Sequence, residues 1–150
     1  MITFQIEEAY QSQIEKERLQ KAVSDTLYHQ RIQPDIEVAI VIGTDDHVQN
    51  LNEAYRGIDK PTDVLTFSHG VIDPDTGREY LGDIVIAYPQ ATQQAEAGGH
   101  SVMDELVLLV VHATLHLLDY DHETDQQKRM MWSVQDEILD KLKVSARPHD

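Results

Sequence analysis

Cysteine is absent from the 150 residues, which excludes disulfides, thiolate zinc sites, iron–sulfur clusters and thiol catalysis together. Any metal must be held by His, Asp or Glu. Basic residues are scarce: 12 Lys and Arg stand against 27 Asp and Glu, for a formal net charge of −15. A field of that sign repels a phosphate backbone over most of a surface, so non-specific nucleic-acid binding is not expected. A local positive site is compatible with it, because a divalent ion and one or two arginines can dominate a cleft. Long apolar runs are missing as well. The longest, Leu106 to Leu118, holds His112 and His116 and is shorter than the roughly 20 residues that span a bilayer. It reads as a buried helix, with no membrane association. Met1 to Glu8 carry two acids and no Lys or Arg, unlike a secretory signal, and a cytoplasmic location is expected.

A hydrophobic content of 41% over 150 residues suffices for one core and not for two, so residues 1–150 are expected to form one domain. Ile2, Phe4 and Ile6 alternate with polar residues as in a strand, and Leu19, Ala22, Val23 and Leu27 share one face of a helix over about 12–29. The β-branched run from Asp35 to Gly43, bounded by Pro34 and Gly43, predicts a second strand. Asp45 or Asp46 can cap a helix through Tyr55. A turn over Gly57 to Pro61 leads into a strand, Val64 to Ser68, and then a loop, Gly70 to Gly77. Gly82 and Asp83 introduce another strand, Ile84 to Ala87. A helix from Pro89 pauses at Gly98-Gly99, and the next restarts with Ser101 as N-cap and Asp104 at the capping-box position. That helix, through Leu118, is apolar nearly all round and so belongs at the centre. A last helix covers about 124–143. The whole is an α+β fold, a small mixed sheet with packed helices.

The central helix ends in His112-Ala113-Thr114-Leu115-His116-Leu117-Leu118-Asp119-Tyr120-Asp121-His122. Residues four apart on a helix are neighbours, so His112 and His116 can reach one ion at about 2.0–2.1 Å. In a continuing helix His122 would stand about 240° round from His116 and about 9 Å along the axis. The helix must therefore stop, and Asp119, which tolerates the left-handed conformation, can turn the chain so that His122 returns to the same point. Imidazoles on an apolar buried helix are costly to bury without partners. Three of them with no fourth protein ligand evident leave a coordination position for water, the mark of a catalytic rather than a structural site.

The spacing coincides with the zinc-peptidase pattern HExxHxxGxxH, in which the Glu beside the first His is the general base. Here Ala113 holds that place, so a phosphodiester, whose hydrolysis depends on positioning and charge neutralisation, is the better candidate substrate. A second cluster runs from Leu51 to Ser68, LNEAYRGIDKPTDVLTFS. As backbone it is a helix end and a turn into a strand, with Arg56 complementing the helix dipole and Asp63 capping the turn. Arg56 is also one of only three basic residues between positions 51 and 100, and a guanidinium clamps phosphate bidentately.

Taken together, LNEAYRGIDKPTDVLTFS, LGDIVIA (81–87) and HATLHLLDYDH (112–122) resemble the YbeY family of bacterial metal-dependent endoribonucleases, or ribosomal RNA maturation factors. The resemblance implies a zincin-like α+β domain in which His112, His116 and His122 bind one zinc ion and Arg56 acts on the RNA. The family motif usually reads HGxLHLxGYDH, and here Ala113 and Asp119 stand at its glycines. Ala113 favours the helix, whereas Asp119 in a left-handed cap costs of order 1 kcal/mol.

The resulting expectation is a metal-dependent, single-strand-specific endoribonuclease in ribosomal RNA maturation and ribosome quality control. Arg56 and His116 are its candidate catalytic residues. Arg56 and Lys60 are candidates for RNA contact, with Arg78 a weaker one. Asp83 and Asp121 are candidate acceptors for the ligand imidazoles, or else cap and turn residues. Three histidines accept several divalent ions besides zinc. The acidic surface suggests a partner that helps RNA binding, the small ribosomal subunit or its proteins, and leaves a competing reading as an assembly module whose metal is structural.

Overall fold

Even-numbered and odd-numbered residues of the strands face different surroundings, and this gives the sheet two unlike faces. In the computed structural model, which describes residues 1–33 and 35–148, four strands lie in the order β1-β2-β4-β3. They are β1 (Ile2–Ile6), β2 (Ile36–Gly43), β3 (Val64–Ile72) and β4 (Glu79–Ala87). β1 and β2 are parallel, as are β2 and β4, while β3 runs antiparallel to β4 at the edge. The helices are α1 (Lys16–His29), α2 (Asp45–Arg56), α3 (Tyr88–Gly98), α4 (Val102–Leu117) and α5 (Asp125–Lys141). The expected α+β class with a mixed sheet is what the chain forms.

Ile36, Val38, Ile40, Ile42, Ile84 and Ile86 join the main core with α1, α4 and α5. The opposite face carries a smaller cluster of Val48, Leu65, Val85 and Ala87 beneath α2, with Phe67 packed at its border. α4 is buried over most of its circumference, Leu106, Val110, Val111 and Leu115 being wholly inaccessible, and each such side chain contributes about 1.5–3 kcal/mol. Ser101 Oγ accepts the Asp104 N–H at 3.1 Å, while the Asp104 carboxylate turns to Arg18 at 2.7 Å. One turn in, His100 and Glu105 are paired at 2.6 Å. The N-terminal end of α4 is thus tied down, and its other end carries the histidines.

Several element boundaries differ from the sequence expectation. A short 3-10 turn, Glu8–Gln13, precedes α1, which starts at Lys16 rather than near residue 12. α2 is capped by Thr44, whose side chain accepts the His47 N–H, and Asp45 and Asp46 occupy its first turn. Pro34, expected to bound β2, lies outside the described residues. β3 continues to Ile72 and β4 begins at Glu79, so the expected loop over 70–77 shrinks to a hairpin turn closed by Asp73 N–H to Arg78 O at 2.8 Å. Gly82 and Asp83 lie inside β4 instead of introducing it. A methyl group on Gly82 would overlap the Phe67 carbonyl oxygen and lie 2.7 Å from Leu117 Cδ2. The missing side chain therefore lets the last turn of α4 sit close on the sheet.

Candidate metal centre

The turn after α4 decides the site. Asp119 adopts φ +74°, its N–H bonds to His116 O at 3.0 Å, and the Tyr120 N–H bonds to Leu115 O at 3.0 Å. These two bonds make a Schellman cap with aspartate at the left-handed position where glycine is usual. His122 then returns toward the helix, its N–H held by Asp121 Oδ1 at 2.8 Å. The ring centroids lie 4.6 Å apart for His112 and His116, 5.5 Å for His112 and His122, and 5.1 Å for His116 and His122. One ring nitrogen from each histidine falls within 4.8 Å of the others, so the three could hold a metal ion.

The two helical imidazoles are oriented through Nδ1. His112 Nδ1 meets Gln135 Oε1 at 3.0 Å, and His116 Nδ1 meets the Tyr120 carbonyl at 2.8 Å. Both partners are oxygen acceptors, so each Nδ1 carries the proton and each Nε2 presents a lone pair. The two Nε2 atoms lie 3.1 Å apart. Two lone pairs at that distance repel unless a proton or a cation stands between them. Burial first, then the neighbouring His116, pulls the proton affinity of His112 down to a pKa of about 4. Burial lowers His116 too, helped by His122 and Arg56 and opposed by the Tyr120 carbonyl and Asp121. The environment therefore disfavours the proton and leaves a donor set suited to a cation. Tetrahedral bonds of about 2.1 Å place ligand nitrogens about 3.4 Å apart, close to the His112–His116 spacing.

Trp132 stands against the site, its ring 5.7 Å from His112 and 5.4 Å from His122. Arg56, at the C-terminal end of α2, donates from Nη2 to Thr66 O at 3.1 Å, and its charge reaches His116. The Arg56 guanidinium thus adds a positive charge to the field at His116. Lys60 sits exposed on the following turn, where its carbonyl accepts from Asn52 at 3.0 Å, and Arg78 pairs with Asp35 at 3.2 Å. Asp63 serves the turn, Oδ1 accepting the Val64 N–H at 2.8 Å.

Asp83 does not orient a ligand imidazole. It accepts from the Tyr80 hydroxyl and pairs with His69 at 3.1 Å, because the alternation along β4 aims it away from Ile84 and the core face that carries α4. Asp121 acts through its turn bond and its charge. The acceptors for the His112 and His116 rings are instead Gln135 and the Tyr120 carbonyl. Gln135 is fully buried at a core position of α5 between Met131 and Ile138, and a polar residue on that apolar stripe is the signal by which sequence could have found it.

Fold and site together define an α+β protein with a three-histidine centre at the end of its central helix. The family model described as Endoribonuclease YbeY matches residues 2–143, and the chain belongs to that family. A relative named Endoribonuclease YbeY from Roseiflexus sp. strain RS-1 is 40% identical over 151 residues, covering 96% of this chain and 94% of the relative. One of the same name from Acetivibrio thermocellus is 36% identical and covers 85% and 86%. The solution structure of a Thermotoga maritima protein superposes with a TM-score of 0.65 at 26% identity, over 95% of this chain and 89% of that one. Among the described residues no helix is long and apolar enough to cross a membrane.

Proposed function

We propose that residues 1–150 form one YbeY-like domain that cleaves single-stranded RNA with a metal ion, zinc by the chemistry of its ligands. Its setting is ribosomal RNA maturation and ribosome quality control in the cytoplasm. The observation that carries this reading is the pair of Nε2 lone pairs facing each other at 3.1 Å, each fixed by an oxygen acceptor on the far side of its ring. His112, His116 and His122 would hold the ion, one per chain. Bound there, a divalent cation supplies Lewis acidity to a phosphate oxygen and lowers the pKa of water.

The remaining work falls to this chain's own side chains. Arg56, beside His116 in the electrostatic sense and anchored on Thr66 O, neutralises charge that develops on the scissile phosphate. Lys60, on the exposed turn that follows, contacts the backbone of the RNA. Gln135 and the Tyr120 carbonyl keep the His112 and His116 rings in the tautomer that presents Nε2. His116, with one nitrogen on the Tyr120 carbonyl and the other toward the site, is the catalytic member of the ligand set. The small ribosomal subunit or its proteins would deliver RNA past the acidic surface.

The test is cleavage of a single-stranded RNA by purified protein and by Arg56→Ala. The variant is expected to keep its metal and its fold and to lose cleavage by 100-fold or more, about the effect of removing one charge-stabilising donor. Equal cleavage by both proteins would contradict the assignment of Arg56, and cleavage of casein in place of RNA would point to the peptidase.

A further inference from the structure

Tyr55 is an apolar surface where none is needed for folding: it is 71% exposed at the C-terminal end of α2. Its ring is nevertheless fixed in direction. It meets the Phe67 ring edge-on, with centroids 5.4 Å apart and an interplanar angle of 69°, and Phe67 is itself anchored on the smaller core cluster. The next residue along α2, Arg56, bonds to the carbonyl of Thr66, the residue just before Phe67. Two adjacent pairs, Tyr55 with Phe67 and Arg56 with Thr66, therefore bridge α2 to the edge strand β3. They set an exposed aromatic ring and a guanidinium on consecutive residues of α2, both held against the same stretch of β3.

We infer that Tyr55, braced by Phe67, is a stacking platform for a nucleobase next to the phosphate held by Arg56. An aromatic face beside a phosphate-binding cation is the arrangement by which proteins hold single-stranded nucleic acid without reading its sequence. Such a platform gives the preference for single strands a physical cause. Inside a duplex both faces of a base are covered by its neighbours, and Tyr55 has nothing to stack on. The inference rests on the proposed RNA cleavage at the three-histidine centre and names the subsite that selects its substrate.

The test uses a single-stranded RNA oligonucleotide carrying 2-aminopurine, whose fluorescence is quenched on stacking, added to the full chain in the presence of a chelator so that no cleavage intervenes. Wild type is expected to bind and quench. Tyr55→Ala should bind about tenfold more weakly with the quench lost, Tyr55→Trp should recover most of the affinity, and the exposed control Val71→Ala should bind as wild type does. On the metal-loaded protein, Tyr55→Ala should raise KM for the oligonucleotide by a similar factor and leave double-stranded RNA no better a substrate. Equal quench and affinity for wild type and Tyr55→Ala, in a protein that cleaves single-stranded RNA, would overturn the platform and leave the nuclease standing. Wild type that neither binds nor cleaves single-stranded RNA would overturn both.

Discussion

Asp119 carries a conformation that glycine adopts more cheaply, and the three-histidine geometry depends on it. With φ at +74°, Asp119→Gly is expected to stabilise the chelator-treated protein by up to about 1 kcal/mol, seen as a rise in Tm of about 2–4 °C; an unchanged or lower Tm would mean that the aspartate side chain compensates its backbone. Gln135 is the second residue on which the site hangs. Gln135→Leu keeps the volume at a buried core position and removes the acceptor for His112 Nδ1, so metal affinity should fall about 10- to 100-fold while the far-UV CD spectrum is kept. Protonation offers a third check. The pKa of His112, about 4 when folded, lies below the unfolded value of about 6.5, so the unfolded chain binds the extra proton. This contribution to stability is complete above about pH 6.5 and is lost as pH falls toward 4, on the order of 3 kcal/mol in all. Urea midpoints of chelator-treated wild type should drop across that window more steeply than those of His112→Ala, and parallel curves would contradict the assignment. The HxxxHxxxxxH spacing made the meeting of the three histidines and the turn between them legible in sequence. Gln135, 23 residues from His112 along the chain, is marked in sequence only as a polar residue on the apolar stripe of α5; which ring it serves is decided by the packing of α5 against α4.

At the scale of elements, the ends of helices were easier to read than the extent of the hairpin. Ser101 and Gly99 signal chain behaviour locally, through a side-chain acceptor and a left-handed residue. β3 beyond Ser68 has mostly exposed side chains and an irregular register between Ser68 and Val71, so no apolar alternation marks it. Its pairing with β4, a long-range interaction, makes it a strand. Gly82 looked like a strand boundary because glycine weakens strands, yet it is required inside β4 by the approach of the Phe67 carbonyl, with Leu117 Cδ2 close behind. Gly82→Ala is accordingly expected to cost about 1–3 kcal/mol, because the backbone of β3 at Phe67 must move. Calorimetric unfolding of the variant checks this, and a variant as stable as wild type would show that β3 has slack beside Gly82.

Over the whole molecule, the formal charge of −15 opposes RNA everywhere except near a few cations. With Arg56 and Lys60 as the main contacts, the affinity for single-stranded RNA should depend only shallowly on salt, a log–log slope of roughly −1 to −2, and Arg56→Ala should reduce it by about 0.7. A slope several times steeper would reveal a basic surface that these residues do not account for. The α+β class and its mixed sheet were legible from the pattern of strands and helices. The order β1-β2-β4-β3 was not, because strand partners are chosen by packing across the sheet and leave no mark on local periodicity. That order matters for function, since it puts β3 at the edge beside Arg56 and Tyr55. The account turns on the histidines, and calorimetric titration of chelator-treated protein with zinc tests it most directly. Wild type is predicted to bind one ion per chain and His116→Ala, folded alike by CD, to bind none at the same concentrations; equal binding by the two proteins, or no binding by wild type, would contradict the three-histidine centre.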